Sequence, residues 1–160
     1  MNPYSWLHTS LDTFEKNCVY PLIRSVMGPV QVFTVEGRPM PQERPRVCSK
    51  GGKAWAYTPA SSKAFKEKVY WSVAGARPVR FEPPYSVIIK FICDPDLEFQ
   101  YDYPLSPKHG DLDNLAKSVL DALFGKNKIF SDDRYIKDLI LYKRLPEVNE
   151  KPGAKIIIIK

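Results

Sequence analysis

Residues 85–93 carry the pattern that most constrains the fold: Tyr-Ser-Val-Ile-Ile-Lys-Phe-Ile-Cys. β-Branched and aromatic residues of this kind favour a strand over a helix. Apolar residues at both odd and even positions indicate that both faces of the strand are covered. The stretch is therefore expected to be a central strand, so the chain must fold around a β-sheet.

Weaker patterns surround this strand. Strands are expected at 30–35, 135–145 and 154–159, and a hairpin over 46–57 that turns at Gly51-Gly52. Helices are expected at 60–76 and 112–124, because their apolar residues recur every three to four positions. This order predicts a single small α/β (α+β) domain at 29–160, with a mixed sheet and two main helices packed on it. Residues 1–28 are left as an unassigned N-terminal extension.

Composition narrows the class of protein. The 160 residues carry a net charge of +6, which favours an anionic partner such as nucleic acid. No apolar run approaches the roughly 20 residues that span a bilayer, and no signal peptide or nucleotide-binding glycine motif is seen. Three widely spaced cysteines, Cys18, Cys48 and Cys93, favour a reducing compartment. We therefore expect a cytoplasmic protein without a membrane partner or a nucleotide cofactor.

Acidic residues are concentrated around the second predicted helix. Asp111 lies just outside it and Asp113 lies where it should begin. Lys117 lies one turn after Asp113, and Asp132-Asp133 follows the helix. Carboxylates this close repel one another unless a cation lies between them, and Mg²⁺ prefers oxygen ligands of this type. The cluster therefore predicts a metal-dependent enzyme that acts on phosphodiesters.

Each of these residues also has a purely structural interpretation. Asp113 could be only the N-cap of the helix, and Lys117 could belong to a surface ladder from Asp113 to Asp121. Spacing alone does not bring Asp133 to Asp111. A surface position is expected for His109, and a solvated loop for the acidic stretch Asp94, Asp96, Glu98 and Asp102.

Basic residues are concentrated before and within the first helix. Between Gly37 and Lys68 there are eight basic and two acidic residues. The predicted hairpin interleaves its basic residues with Trp55 and Tyr57, a combination that can follow phosphates and stack on an opened base. The candidate DNA-binding residues are Arg44, Arg46, Lys50 and Lys53. The alternative is an ordinary solvated hairpin with core aromatics, and for helix 60–76 a solvated basic face is favoured.

Two groups of residues match a known family. The first is Asp111-Leu112-Asp113-Asn114-Leu115 with Lys117 and Asp121-Ala122-Leu123, followed by Asp132-Asp133. The second is Val35-Glu36-Gly37-Arg38-Pro39 with Pro41, then Arg44-Pro45-Arg46 and Tyr57-Thr58-Pro59. Together they resemble the RusA family of Holliday junction resolvases, found in bacteria and often in their phages. The resemblance covers about residues 30–160 and leaves 1–28 and 94–108 unexplained.

The resemblance implies a small homodimer that binds four-way DNA junctions and cuts one strand per subunit with Mg²⁺, for which Mn²⁺ can substitute. It implies an acidic triad of Asp111, Asp113 and Asp133, with Asp132 in place of Asp133 if the register differs by one. It also implies a functional role for Lys117. The resemblance further implies that the protein acts in a bacterial cell and is encoded either by the bacterium or by a phage that infects it.

Three other functions remain open. A less selective metal-dependent nuclease would act on flaps or duplexes with the same residues. A DNA-binding module without catalysis would tolerate Asp113→Asn. A protein-interaction domain with incidental basic charge would show no salt-dependent DNA binding.

Overall fold

The structure, a computed structural model, describes residues 28–57, 59–80, 82–95, 104 and 106–160. The predicted extension at 1–28 therefore lies outside the described residues except for Gly28. Asp96, Glu98 and Asp102 also lie outside them.

The described chain follows the predicted order of elements. The strands are β1 (Val30–Glu36), β2 (Arg46–Lys50), β3 (Lys53–Tyr57), β4 (Tyr85–Ile92), β5 (Ile136–Arg144) and β6 (Gly153–Ile159). The helices are α1 (Ala60–Gly75) and α2 (Leu112–Leu123), and short 3₁₀ turns cover Pro107–His109 and Asp133–Tyr135. The predicted fold class is confirmed as a small α+β domain with a mixed sheet and two helices.

Four strands form the main sheet in the order β1-β6-β4-β5. β6 is antiparallel to β1 and β4, whereas β4 and β5 are parallel. The predicted central position of β4 is confirmed, because it has a partner on each side and all eight of its residues are buried. The C-terminal isoleucines lie in β6, an inner strand of the sheet, and are buried rather than on the surface.

The parallel pair defines two edges of the sheet. β4 and β5 both begin where Tyr85 pairs with Ile136, and both end where Ile92 pairs with Arg144. We call these two ends of the sheet, where the strands begin and end, the starting edge and the finishing edge; neither term refers to an outer strand. Eight residues at about 3.3 Å each separate the two edges by roughly 23 Å.

The main core lies between the sheet and the two helices. Phe65, Val69 and Val73 of α1 and Leu115 and Val119 of α2 pack against one face of the sheet. Burying side chains of this size contributes about 1.5–3 kcal/mol each. A smaller apolar cluster of Ile88, Ile157 and Ile159 lies on the opposite face. In the described part of the chain, no helix is long and apolar enough to cross a membrane.

Helix α2 returns from the finishing edge to the starting edge. Just before it, the Lys143 ammonium donates to the Gly110 carbonyl at 2.9 Å. At its other end, the ring of Phe124 lies 5.7 Å from that of Tyr85, at the starting edge. Twelve helical residues at about 1.5 Å each give this helix a length of roughly 18 Å.

Candidate functional site

The acidic pair Asp111 and Asp113 lies at the first turn of α2. The interpretation of Asp113 as the N-cap is wrong: Asp111 occupies that position, and its side chain makes no capping hydrogen bond. Both residues are exposed, and among the described residues neither carboxylate has a hydrogen-bond or ion-pair partner. Their charge benefits from the positive end of the helix, by about 0.3–1 kcal/mol each.

The backbone before this pair is fixed by close packing. Gly110 has a φ of +69°, and a Cβ there would lie 2.7 Å from the side chain of Pro41. The amide of Gln42 donates to the Asn114 carbonyl at 2.8 Å. The proline-rich segment 37–45 therefore lies against the start of α2, and the hairpin β2–β3 begins directly after it.

His109 also fixes this turn. Its side chain is buried, so the expected surface position is wrong, and its Nε2 lies 2.6 Å from the Asp94 carbonyl oxygen. Arg38 joins the same turn, because its guanidinium donates to the Lys108 carbonyl at 3.0 Å and pairs with Asp94 at 3.7 Å. The start of α2 is thereby attached to the end of β4.

Asp132 and Asp133 lie at the other end of α2. The Tyr85 hydroxyl is 3.1 Å from the Ser131 hydroxyl, which places the following two residues at the starting edge. The Asp132 carboxylate accepts from the Arg134 amide at 3.0 Å and caps the 3₁₀ turn there. The length of α2, about 18 Å, therefore separates these carboxylates from Asp111 and Asp113 within one chain.

The described residues contain no group of three or more His, Cys, Asp or Glu side chains close enough to hold a metal ion. The Asp111–Asp113 pair nevertheless suits Mg²⁺, since hard carboxylate oxygens are its preferred ligands and both side chains have unused lone pairs. Mg²⁺ commonly takes only one or two carboxylates and completes its shell with water and phosphate oxygens. The triad with Asp133 stays a prediction.

Lys117 pairs along the helix rather than back to the acidic pair. Its ammonium donates to Asp121 at 3.1 Å, and Lys66 of α1 donates to the other oxygen of Asp121 at 2.9 Å. Burial opposes ionisation of Asp121, but the hydrogen bonds from the two lysines outweigh it and lower the pKa of this carboxyl. Asp121 therefore stays ionised, and it connects the two helices through Lys66 of α1.

The hairpin β2–β3 is confirmed and projects away from the core. Among the described strands, these two pair only with each other, and Gly51 and Gly52 have φ values of +60° and +74°, as a tight two-residue turn requires. Trp55 and Tyr57 are exposed, so the alternative of core aromatics is wrong for this hairpin.

Cross-strand register sorts the hairpin side chains between its two faces. Residues opposite one another share a face, as do alternate residues along a strand. One face therefore carries all the basic and aromatic side chains of the hairpin, together with Cys48: Arg46, Cys48, Lys50, Lys53, Trp55 and Tyr57. The other carries only small or apolar ones: Val47, Ser49, Ala54 and Ala56. We call the first face the basic ribbon.

Sequence reasoning missed the bridging role of Asp121 and the contribution of α1 to it. The i,i+4 spacing from Lys117 to Asp121 was visible, but a contact to Lys66, 55 residues away, requires the packing of two helices. The one-face arrangement of the basic ribbon could have been derived, because a two-residue turn at Gly51-Gly52 fixes the register.

Two comparisons with known proteins bear on these residues. A family model described as endodeoxyribonuclease RusA matches residues 36–159, which include every candidate site residue named above. The uncharacterized protein YqaN of Bacillus subtilis (strain 168) is 29% identical over 144 residues, covering 79% of this chain and 93% of that protein.

Proposed function

Because the chain belongs to the endodeoxyribonuclease RusA family, we propose that it is a magnesium-dependent endonuclease that resolves four-way DNA junctions by paired symmetric nicks. The observation that carries this proposal is the exposed pair Asp111 and Asp113, which has no cationic partner among the described residues. Two unpaired carboxylates in a domain that also carries a basic ribbon are suited to a cation and a phosphodiester.

Asp111 and Asp113 would hold Mg²⁺, with Mn²⁺ as a substitute. When bound, the ion supplies a Lewis acid for a phosphoryl oxygen and lowers the pKa of a bound water. Lys117 lies one turn after Asp113 on the same helix face, where its ammonium would offset negative charge that develops on the phosphate. Asp121 holds this ammonium from the side away from the acidic pair.

DNA binding is proposed for the basic ribbon and for Arg44 just before it. The segment 37–45 packs against the start of α2 through Pro41 and Gln42, and the ribbon begins four residues after this contact. Arg46, Lys50 and Lys53 would contact phosphates, while Trp55 and Tyr57 supply aromatic surface for an opened base.

A homodimer would explain the position of Asp133. Within one chain, about 18 Å of helix separates Asp133 from Asp111, so the chain presents two partial acidic groups. In a two-fold dimer the same surface of both subunits forms the contact, so each contact between two residues occurs twice. Asp133 of a second copy could then complete the pair Asp111–Asp113 in each subunit. Two such sites related by the two-fold axis would suit two symmetric cuts.

Cleavage of an end-labelled four-way junction in Mg²⁺ tests the catalytic proposal. Asp111→Asn is expected to abolish nicking while circular dichroism and thermal unfolding stay normal. Glu36→Gln serves as a matched control, because Glu36 is an exposed carboxylate paired only with Lys151 at 3.5 Å among the described residues, and it should cut normally. Full cleavage by a folded Asp111→Asn protein would refute the proposal.

Subunit mixing tests the shared site. Asp113→Asn and Asp133→Asn proteins are each expected to be inactive alone. A mixed dimer contains one site with both substitutions and one with neither, so mixing should restore single nicks. No recovery in mixtures shown to exchange subunits would place Asp133 in the same site as Asp113 of its own chain, whereas full activity of Asp133→Asn alone would place Asp133 outside the site.

A further inference from the structure

A second candidate binding site lies in a cleft of about 410 Å³ between α1 and the turn after α2. Five of its lining residues, Lys63, Lys66, Glu67, Tyr70 and Trp71, are spaced three, four, seven and eight apart along α1 and form one stripe of that helix. Asp121 and Lys128 line the other side. We call this the aromatic cleft.

Trp71 is the most unusual residue of the aromatic cleft. It exposes 69% of its surface, although a tryptophan is among the most costly side chains to leave in water. Its ring meets that of Tyr70 edge-on, with centroids 5.1 Å apart and an interplanar angle of 85°. Tyr70 therefore supports the indole from one side while the indole keeps an open face.

Three lysines line the aromatic cleft, and among the described residues two of them are paired with carboxylates while the third is not. Lys63 pairs with Glu67 at 3.9 Å, and Lys66 pairs with Asp121 at 2.9 Å. Lys128 has no carboxylate partner among the described residues, and its ammonium lies 5.7 Å from the centroid of the Tyr70 ring. A cation with no anion beside an exposed indole matches a nucleotide, whose base can stack and whose phosphate is anionic.

We propose that the aromatic cleft binds an unpaired nucleotide of the branched DNA, with the base stacked on Trp71 and its phosphate against Lys128. The proposal rests on the proposed function, because it names a part of the same substrate. The cleft adjoins the candidate catalytic lysine, since Asp121 lines it and also accepts from Lys117 at 3.1 Å. A nucleotide held there would fix the branch point relative to Lys117.

Equilibrium binding to a four-way junction in EDTA tests the proposal without cleavage. The junction carries 2-aminopurine at the branch point, whose fluorescence falls when the base stacks. Trp71→Ala is expected to weaken binding at least about fivefold and to abolish most of the quenching, because one stacked base is worth about 1–3 kcal/mol. The salt dependence of binding should not change, since Trp71 carries no charge.

Three further variants define the result. Trp71→Phe should keep most of the quenching, because it retains an aromatic face, and Lys128→Gln should lower the salt slope by about one. Val79→Ala is the matched control: Val79 is also 69% exposed and lies outside the aromatic cleft, so binding should stay unchanged.

Several outcomes would overturn the proposal. If Trp71→Ala binds and quenches like the wild type, the aromatic cleft does not hold a nucleotide, while the proposed junction endonuclease still stands. If light scattering shows that Trp71→Ala converts a dimer into monomers, the cleft is a contact between subunits. If the wild type does not bind the junction at all, both the cleft and the proposed function are refuted.

Discussion

Removing the positive charges of the basic ribbon should reduce the salt dependence of DNA binding by an amount that follows from the structure. Arg46, Lys50 and Lys53 lie on one face of the hairpin, so all three can contact phosphates at once. Each phosphate contact contributes about 0.9 to the slope of log affinity against log salt concentration. The triple change to Gln should therefore reduce the slope by about 2.7.

The expected loss of affinity for the junction at each salt concentration follows from this change in slope. If binding at 1 M salt is unchanged, a slope change of about 2.7 weakens junction binding roughly 500-fold at 0.1 M and roughly 25-fold at 0.3 M. Fluorescence anisotropy with a labelled junction in EDTA, at salt concentrations from 0.1 to 0.5 M, measures both quantities.

A charge-matched control keeps the net charge of the two proteins equal. It changes Lys137, Lys151 and Lys160 to Gln, three exposed lysines outside the hairpin. We expect a slope close to that of the wild type. A slope reduction below one in the ribbon variant, or an equal reduction in the control, would refute the ribbon as the DNA contact.

Three further predictions concern folding and the site. Asp121→Asn should lower the free energy of unfolding at pH 7 by about 1 kcal/mol. The pKa of Asp121 is depressed in the folded state. The difference in unfolding free energy should therefore be lost when the pH of the urea titrations falls below the ordinary pKa of 3.8 and through the lower folded pKa. Ile156→Ala should cost about 2–5 kcal/mol in urea unfolding, because Ile156 is fully buried. Gly110→Ala should reduce both thermal stability and junction cutting, because its Cβ would meet Pro41; an unchanged Tm would contradict the packing described.

The fold could be predicted because its local patterns agree with its tertiary contacts. β4 was recognisable as central because apolar residues occur at both odd and even positions of the strand. The hairpin followed from Gly51-Gly52, whose positive φ values few other residues adopt. Helix α2 followed from its apolar spacing and begins at the predicted residue 112, although its N-cap was misassigned because Asp111 and Asp113 are equally suited to that position.

The geometry of the site could not be predicted in the same way. The distance between Asp113 and Asp133 depends on the direction in which α2 crosses the sheet, and sequence spacing carries no such direction. Burial of His109 depends on a contact to Asp94 across a loop. The second cationic partner of Asp121, Lys66, reaches it only because α1 packs beside α2. These contacts join residues that are distant in sequence, so no local pattern encodes them.

Cleavage of a labelled four-way junction, compared with linear duplex and flap substrates of the same sequence, tests the central proposal most directly. In Mg²⁺ we expect symmetric nicks near the crossover that are absent in EDTA and with Asp113→Asn. Equal cutting of all three substrates would indicate a less selective nuclease. Tight junction binding without any cutting, or full activity of Asp113→Asn, would contradict catalysis by the acidic pair.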